Sequence, residues 1–236
     1  MKRMLALFLA VTVLMSGCGN QQKFQSKEIS KETTVETLPS PTPTESQPVM
    51  EYPDPQDMVF VAVTDYIPDI RIDLKYATTD NFTGQVIYEF STVYLRYGTV
   101  KKLLAVQQDL NELGLSLMIW DGFRPVSAQY KLWEVCPDSR YVANPNTGFS
   151  AHNRGNTVDL TLTDSEGNEL VMPTGFDDFS KKADRNYADC TSEAADNALL
   201  LEALMEKHGF SGYKNEWWHF TDTVSYPVEE AFQPTS

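Results

Sequence analysis

Two of the three histidines in the chain stand close in sequence to acidic residues, at spacings that a metal site could use. His152 lies in the stretch SAHNRGNTVDLTL, seven residues before Asp159, and His219 ends the stretch NEWWH, three residues after Glu216. A catalytic zinc ion takes three protein ligands from His, Asp, Glu or Cys and keeps a fourth position for water. A glutamate close to a metal-bound histidine can serve as general base on that water. The residue types therefore fit a zinc site that activates water.

A simpler interpretation of these residues stays open. His152 and Asp159 also fit a surface loop whose aspartate caps a turn, and Glu216 fits the solvent face of a half-buried aromatic strand. The third histidine, His208 in EKHGF, lies at the end of a predicted helix, where a cation interacts favourably with the helix dipole. We therefore expect His208 to cap that helix rather than to bind metal.

Arg124, in WDGFRP, follows a predicted buried strand and a glycine turn. This position places its head group at the end of a sheet. A guanidinium is always charged and offers several hydrogen-bond donors, so it would stabilise the oxyanion that forms when a peptide bond is hydrolysed. The alternative role is an ordinary salt bridge, since the chain carries 33 aspartates and glutamates.

The segment that follows His152 has to bring Asp159 back towards it. Gly155 allows a sharp bend, and VDLTL then alternates apolar and polar residues as a half-buried strand does. Strict alternation puts Val158 and Leu160 on one face and Asp159 on the other. Asp159 is therefore free to point away from the core, towards the side that His152 faces.

The NEWWH segment poses a geometric difficulty. In a flat strand, residues three apart such as Glu216 and His219 point to opposite faces. If both residues serve one site, we expect the chain to twist, bulge or leave the strand between them.

Strand-like runs and helical spacings are mixed irregularly along the rest of the chain, with no glycine-rich nucleotide loop after any strand. This pattern predicts an α+β fold, a single domain whose central, mostly antiparallel sheet is flanked by helices. The predicted strands are MVFVAV, 70–76, VYLR, 115–120, VDLTL and NEWWHFT. The predicted helices are 100–113, 125–135 and 191–209, the last with Thr191 or Ser192 as its N-terminal cap.

Length, composition and charge limit the class of protein. A chain of 236 residues with 42% hydrophobic residues suits one packed domain with appendages. The formal net charge of −14 argues against nucleic acid as a partner, because binding phosphates requires a basic surface. It argues equally against docking to anionic lipid through a charged patch.

The N-terminal part of the chain differs in composition from the rest. Residues 1–18 resemble a bacterial lipoprotein signal, with a basic start, an apolar run over 4–15 and the box LMSGC. The resemblance implies lipid modification of Cys18, and the alternative is a plain secretory signal; either predicts export and an extracytoplasmic location. Residues 19–56, rich in Thr, Ser, Pro and Glu, predict a disordered tether, and the folded domain is expected over 57–236.

Cys136 and Cys190 are the cysteines of the expected domain. An exported location permits a disulfide between them, and free buried thiols are equally compatible with their positions. The sequence does not indicate an oligomeric state.

Four motifs together resemble the D-alanyl-D-alanine dipeptidases of the vancomycin-resistance type. These are zinc peptidases related to bacterial D,D-carboxypeptidases and to the Hedgehog signalling domain. DLKYATTDNFTG resembles the family's N-terminal signature and WDGFRP its arginine motif. SAHNRGNTVDLTL is similar to its Ser-x-His-x-x-Gly-x-x-x-Asp pattern, and EWWHF to its Glu-x-x-His element. The motifs occur in the family's order and span 73–220, so the resemblance implies a Hedgehog/D,D-peptidase-like fold.

The resemblance implies a role for each matching residue. His152, Asp159 and His219 would be the ligands of one zinc ion. Glu216 would be the general base, and Arg124 would stabilise the transition state.

The resemblance also implies residues that contact the substrate. Ser150 would help to bind it, and an aspartate in the loop containing GFDDF would bind its amine. Asp177 is the better match for that aspartate, although the spacing leaves Asp178 open. Asp121 and Tyr76 would line or support the pocket.

The implied activity is hydrolysis of the D-alanyl-D-alanine dipeptide to two D-alanines. An exported, anchored enzyme would act in turnover of dipeptide released from the cell wall, since it cannot reach the cytoplasmic pool. One alternative is a D,D-carboxypeptidase that removes the terminal D-alanine from peptidoglycan stem peptides. Another is a non-catalytic zinc module that binds the wall, which we would expect to have lost Glu216 or Arg124.

Overall fold

A computed structural model describes residues 54–236. The strands are β1 (Phe60–Ala62), β2 (Arg71–Ile72), β3 (Tyr94–Arg96), β4 (Leu115–Asp121), β5 (Thr157–Asp164), β6 (Phe210–Tyr213) and β7 (Glu216–Asp222). The helices are α1 (Val63–Tyr66), α2 (Tyr97–Glu112), α3 (Val126–Val135) and α4 (Ser192–Lys207), with short 3₁₀-helices at Lys75–Ala77, Ala151–Arg154 and Lys181–Ala183.

The main sheet has five strands in the order β2-β4-β5-β7-β6. Only the β2–β4 pair is parallel, and the other three pairs are antiparallel. Helix α2 packs against β4 and helix α4 against β6, while β1 and β3 form a separate two-stranded sheet. The predicted α+β class with a mostly antiparallel sheet is therefore confirmed.

Strand β5 lies at the centre of the main sheet, between β4 and β7. Its Val158 and Leu160 have no exposed surface, as the alternation of VDLTL predicts. On the opposite face Asp159 is 4% exposed and Thr161 is fully buried, so this strand is covered on both sides. Burial of Asp159 makes a partner for its carboxylate obligatory, because an isolated buried charge is strongly unfavourable.

Two predicted strands are shorter than their sequence patterns suggest. Residues 70–76 form a strand only at Arg71–Ile72, and the chain then turns into the 3₁₀-helix Lys75–Ala77. The pairing of β2 with β4 ends at Ile72 and Ile119, just before the point at which the pairing of β4 with β5 shifts register. In MVFVAV the strand ends at Ala62 because Val63 already begins α1.

The predicted helix boundaries agree closely with the structure. Of the two proposed caps for α4, Thr191 is the one used: its hydroxyl accepts a hydrogen bond from the backbone N–H of Ala194.

Among residues 54–236 Cys136 and Cys190 are free thiols, so no disulfide joins them. None of the helices in this range combines the length and the apolar character that crossing a membrane requires. The predicted signal at 1–18 and nearly all of the predicted tether at 19–56 lie outside the described residues.

Candidate active site

The three inner strands of the sheet place three polar residues in one row. Asp159 of β5 is paired with Asp121 of β4 on one side and with His219 of β7 on the other. Side chains that are directly opposite on neighbouring strands point to the same face and lie close together. The row therefore carries Asp121, Asp159 and His219 to one place on the sheet.

His152 approaches this row from the 3₁₀-helix Ala151–Arg154, which precedes β5. The hydroxyl of Ser150 caps this turn by accepting a hydrogen bond from the backbone N–H of His152 at 3.3 Å. Gly155 ends the turn with a left-handed backbone, φ 76°, and a Cβ at this position would lie 2.3 Å from the ring of Phe60. The bend predicted at Gly155 is present, and both its conformation and its packing require glycine.

Hydrogen bonds join the turn of His152 to the turn that carries Arg124. The Nδ1 atom of His152 lies 2.8 Å from the carbonyl oxygen of Gly122. The backbone N–H of Arg124 donates to the carbonyl of His152 at 3.2 Å. In return, Asn153 donates from its side-chain amide to the carbonyl of Arg124 at 2.7 Å. The arginine motif and the first histidine motif thus form one bonded substructure.

Three potential metal-binding atoms converge in this substructure. His152 Nε2 lies 3.2 Å from Asp159 Oδ2, and His219 Nδ1 lies 3.0 Å from Asp159 Oδ1. The two histidine nitrogens are 3.4 Å apart. One potential ligand atom from each residue falls within a 4.8 Å cluster, which is compact enough to surround one ion.

The hydrogen bonding of His152 indicates that a cation belongs in this cluster. A carbonyl oxygen only accepts, so in the neutral imidazole that binds a metal the bond to Gly122 places the ring proton on Nδ1 and leaves a lone pair on Nε2. That lone pair faces an oxygen of the Asp159 carboxylate, which also only accepts. Two acceptors at this distance repel each other unless a positive charge lies between them. Two imidazole nitrogens and a carboxylate oxygen form a zinc donor set, and the bond from Nδ1 to a backbone carbonyl is the usual outer support of a zinc-bound histidine.

Strand β7 leaves regular pairing where the sequence analysis requires it. On β6, Gly212 pairs with Phe220 and the next residue, Tyr213, pairs with Glu216. The residues of β7 between these two pairs therefore have no partner on β6. This bulge turns Glu216 towards the metal cluster, with its Oε2 atom 3.6 Å from Nδ1 of His219. The expected distortion between Glu216 and His219 is confirmed.

Glu216 is partly buried beside the cluster. Burial raises the pKa of its carboxyl group above the ordinary value, although the neighbouring His219 acts in the opposite direction. A raised pKa suits a general base, which must both accept and release a proton near neutral pH.

Arg124 is buried and held on several sides. Its Nη2 and Nε atoms donate to one carboxylate oxygen of Asp121 at 2.6 and 3.2 Å, and its Nη1 donates to Gln129 at 3.0 Å. Asp121 has no exposed surface and also accepts from the hydroxyl of Tyr88 at 2.6 Å. The arginine therefore makes the salt bridge considered as its alternative role and still borders the pocket. Two of its five N–H groups remain for a ligand.

Asp177 and Tyr76 form a second polar group in the same pocket. Tyr76 donates from its hydroxyl to Asp177 Oδ2 at 2.7 Å. Asp177 has φ 55°, a left-handed conformation that aspartate tolerates better than most residues. Burial raises the pKa of the Asp177 carboxyl to about 8. Asp178 instead accepts from the backbone N–H of Ser180 and does not border the pocket, so Asp177 is the one of the two that faces the pocket.

The residues of the metal cluster border one pocket of about 360 Å³, together with Glu216, Arg124, Asp177 and Tyr76. A second cavity of about 320 Å³ adjoins it along Tyr213 and Glu216. The pocket is lined by Tyr76, Arg124, Leu132, Ser139, Arg140, Tyr141, Val142, Ala143, Phe149, Ser150, Ala151, His152, Asp159, Asp177, Phe179, Tyr213, Glu216 and His219. Of the site residues predicted from sequence, Asp121 stands behind Arg124 rather than in the wall. His208 lies elsewhere, as expected, at the end of α4 with Nε2 2.6 Å from Asp109.

Sequence reasoning missed Gln129, Tyr88 and the aromatic wall formed by Tyr141, Phe179 and Tyr213. Two of these residues carried a signal in the sequence. Gln129 lies five residues after Arg124 on the helix that the arginine turn begins, and Phe179 is the last residue of GFDDF. Tyr88, Tyr141 and Tyr213 lie outside the motifs that carry the chemistry.

Comparison with known proteins finds similar sequences. A family model described as D-ala-D-ala dipeptidase matches residues 56–233. The D-alanyl-D-alanine dipeptidase of Escherichia coli K12 is 40% identical over 177 residues, which cover 74% of this chain and 90% of that protein. The D-alanyl-D-alanine dipeptidase of Enterococcus faecalis is 32% identical over 181 residues, 68% of this chain and 90% of that protein. A solved structure of the vancomycin-resistance D,D-pentapeptidase VanY with Zn(II) aligns with a TM-score of 0.36 and 15% identity, over 56% of this chain and 74% of that one.

Proposed function

This chain belongs to the D-Ala-D-Ala dipeptidase family of zinc metallopeptidases, and from that membership we propose that it hydrolyses free D-alanyl-D-alanine outside the cytoplasm. The family supports the peptidase chemistry and the dipeptide as substrate class. The extracytoplasmic location and a role in cell-wall dipeptide turnover are inferences from the N-terminal sequence.

The residues of the site divide the chemistry between them. His152, Asp159 and His219 would hold the zinc ion, which would supply Lewis-acid chemistry to the scissile carbonyl and to a water molecule. Glu216 accepts a proton from the attacking water and passes it to the leaving nitrogen, so the amide C–N bond breaks as the new C–O bond is completed. The free N–H groups of Arg124 donate to the oxygen on which negative charge develops.

The observation that carries the dipeptide proposal is the carboxylate of Asp177 in the pocket. A free dipeptide has a charged ammonium group, which an ionised Asp177 would bind through a charge-assisted hydrogen bond. A stem peptide has an uncharged amide nitrogen at that position, so the carboxylate would be desolvated without gaining an ionic partner. Asp177 thus favours substrates with a free amine on the residue that carries the scissile carbonyl.

The adjoining cavity favours a second candidate, a D,D-carboxypeptidase acting on stem peptides. This cavity borders Glu216 and is also lined by Arg140 and Lys181, and a free dipeptide has no need of the added space. An anchored surface enzyme would also lie close to its peptidoglycan substrate.

A direct comparison of substrates tests the proposal. The purified zinc-loaded protein is assayed on D-Ala-D-Ala, on N-acetyl-D-Ala-D-Ala, which lacks the ammonium, and on a pentapeptide stem. We expect a kcat/KM for the free dipeptide at least about 100-fold above the other two, the scale of a lost charged hydrogen bond. Comparable cleavage of the pentapeptide would establish the carboxypeptidase instead.

The location rests on the sequence of residues 1–18 and needs its own test. We propose that Cys18 is lipid-modified after export, which would hold the domain at the membrane on a tether and limit it to dipeptide released outside. Radiolabelled palmitate should enter the wild-type protein and be absent from Cys18→Ala. Label in neither protein, with the protein secreted free, would indicate a plain secretory signal.

A further inference from the structure

The bulge in β7 is held by Arg185, which lies far from it in sequence. Arg185 Nε donates to the carbonyl of Tyr213 at 2.9 Å. Its Nη2 donates to the carbonyls of Trp217 at 2.9 Å and His219 at 3.0 Å. Its backbone N–H also donates to the carbonyl of Lys214 at 3.1 Å. One side chain thus bonds both ends of the irregular segment.

These bonds replace those that a regular strand pair would supply. Trp217 and His219 lie in the part of β7 that has no partner on β6, so their carbonyls on that side lack a ladder donor. A buried carbonyl without a donor is unfavourable, which would favour a return to regular pairing. Regular pairing would put Glu216 and His219 on opposite faces of the sheet. The guanidinium therefore stabilises the one local geometry in which both residues face the pocket.

Gly212 makes room for this arrangement. A Cβ at Gly212 would lie 2.3 Å from Cζ of Arg185, far inside van der Waals contact. The guanidinium lies against the bare backbone of β6, with its Cζ 4.3 Å from the ring centroid of Phe220. Nη1 is 3.1 Å from Glu202 of α4, so the charge has an acidic partner. The backbone of Gly212 does not have a positive φ, so the space that Arg185 occupies, rather than the conformation, requires a glycine there. With the ion pair to Glu202, this indicates a site dedicated to the Arg185 side chain.

We propose that Arg185 is a positioning residue: it fixes the bulge of β7 and thereby the relative placement of the base Glu216 and the zinc ligand His219. Arg185 does not border the pocket, so it acts only through the backbone that it holds. The proposed effect on catalysis rests on the proposed function, whereas the effect on metal binding does not. Lysine cannot substitute, because one ammonium on a flexible stem does not reproduce a planar fork that reaches several carbonyls.

The test compares Arg185→Lys with Glu202→Gln as the matched control. Glu202→Gln removes the ionic partner of Arg185 and leaves its bonds to the carbonyls intact. Zinc affinity is measured by competition with a chromophoric chelator, kcat and KM on D-Ala-D-Ala, and the unfolding temperature by calorimetry. For Arg185→Lys we expect zinc affinity and kcat to fall about 10- to 100-fold, as for other outer supports of zinc ligands, with KM little changed. Glu202→Gln should lower only the unfolding temperature.

A second variant covers the case in which Arg185→Lys does not fold. Gly212→Ala leaves every polar group in place and displaces the guanidinium sterically, so it should weaken zinc binding in the same way. Wild-type zinc affinity in either folded variant would overturn the proposal, as would a loss of stability alone. A wild-type protein that fails to cleave D-Ala-D-Ala, while both variants still bind zinc more weakly, would reject the proposed function and leave the role of Arg185 standing.

Discussion

Gln129 connects the guanidinium of Arg124 to the loop that forms one wall of the pocket. Its Oε1 accepts from Nη1 of the arginine at 3.0 Å, and its Nε2 donates to the carbonyl of Ala143 at 2.8 Å. The side chain has no exposed surface. Both ends of its amide are thus committed to groups that border the pocket.

Replacing Gln129 with methionine should therefore impair catalysis more than folding. The substitution keeps the volume but leaves Nη1 of Arg124 without its acceptor, so the guanidinium loses a fixed orientation. We expect kcat to fall about 10-fold, the effect of roughly one hydrogen bond to a charged group. Gln107→Met is the control, since Gln107 is equally buried but bonds Ser116 and Asn111 in a structural network. If both variants lose stability and neither loses kcat, Gln129 is only structural.

Glu216→Gln should abolish most of the activity without loss of zinc. The amide keeps the shape of the side chain but cannot accept the proton of the attacking water, so kcat should fall by about 10²- to 10⁴-fold. Zinc content by atomic absorption should stay at one ion per chain, because the carboxylate is not among the three converging ligand atoms. Residual activity near the wild-type level would exclude Glu216 as the base.

The histidines offer a matched pair for testing the metal site. His152→Ala removes one of three ligands and should lower zinc content sharply after dialysis, and activity with it. His208→Ala changes a helix cap whose partner is Asp109, so it should retain zinc and activity. Equal zinc loss in the two variants, or in neither, would contradict the assignment.

Asp177→Asn should discriminate between substrates rather than abolish chemistry. The amide is neutral and offers no counter-charge to the ammonium of a free dipeptide. We expect kcat/KM for D-Ala-D-Ala to fall roughly 10- to 100-fold, with little change for N-acetyl-D-Ala-D-Ala. Asp178→Asn is the control and should match the wild type, because that carboxylate does not border the pocket. A parallel loss on both substrates would argue against an ammonium contact.

The buried carboxyl of Asp177 should also make stability depend on pH. Its pKa is about 8 in the folded protein, whereas an unfolded aspartate titrates near 3.9, so the folded state holds the proton more tightly. This contribution to stability is fully present below the unfolded pKa and is lost as pH rises towards about 8. The asparagine in Asp177→Asn has no carboxyl to titrate, so this variant does not lose this stability as the pH rises. The variant should therefore unfold at a higher temperature than the wild type at pH 8. The difference should shrink towards pH 4, as followed by calorimetry, and a constant difference would contradict it.

Much of the site was predictable because its residues obey local periodicities. The alternation of VDLTL orients Asp159, and the three-residue spacing of Glu216 and His219 requires the observed bulge. A strand pattern followed by a glycine turn places Arg124 just beyond the end of β4. In these cases a residue's direction follows from its immediate neighbours in sequence.

The supporting contacts were not predictable, because they join residues that are far apart in sequence. Arg185 bonds carbonyls up to 34 residues away, and its partners are backbone atoms that carry no sequence signal. The choice between Asp177 and Asp178 depends on one left-handed residue, which no spacing rule determines. The early end of β2 depends on its register with β4, a property of two strands rather than of one.

The bonds between the turns of Arg124 and His152 have a consequence for recombining this protein with its relatives. Gly122, Arg124, His152 and Asn153 exchange hydrogen bonds with one another, largely through backbone atoms, across about thirty residues of intervening chain. A chimera with a crossover in that interval would combine two turns selected in different backgrounds and risk misaligning both. Segments exchanged for altered specificity should therefore carry both turns from a single parent, with crossovers placed before β4 and after β5.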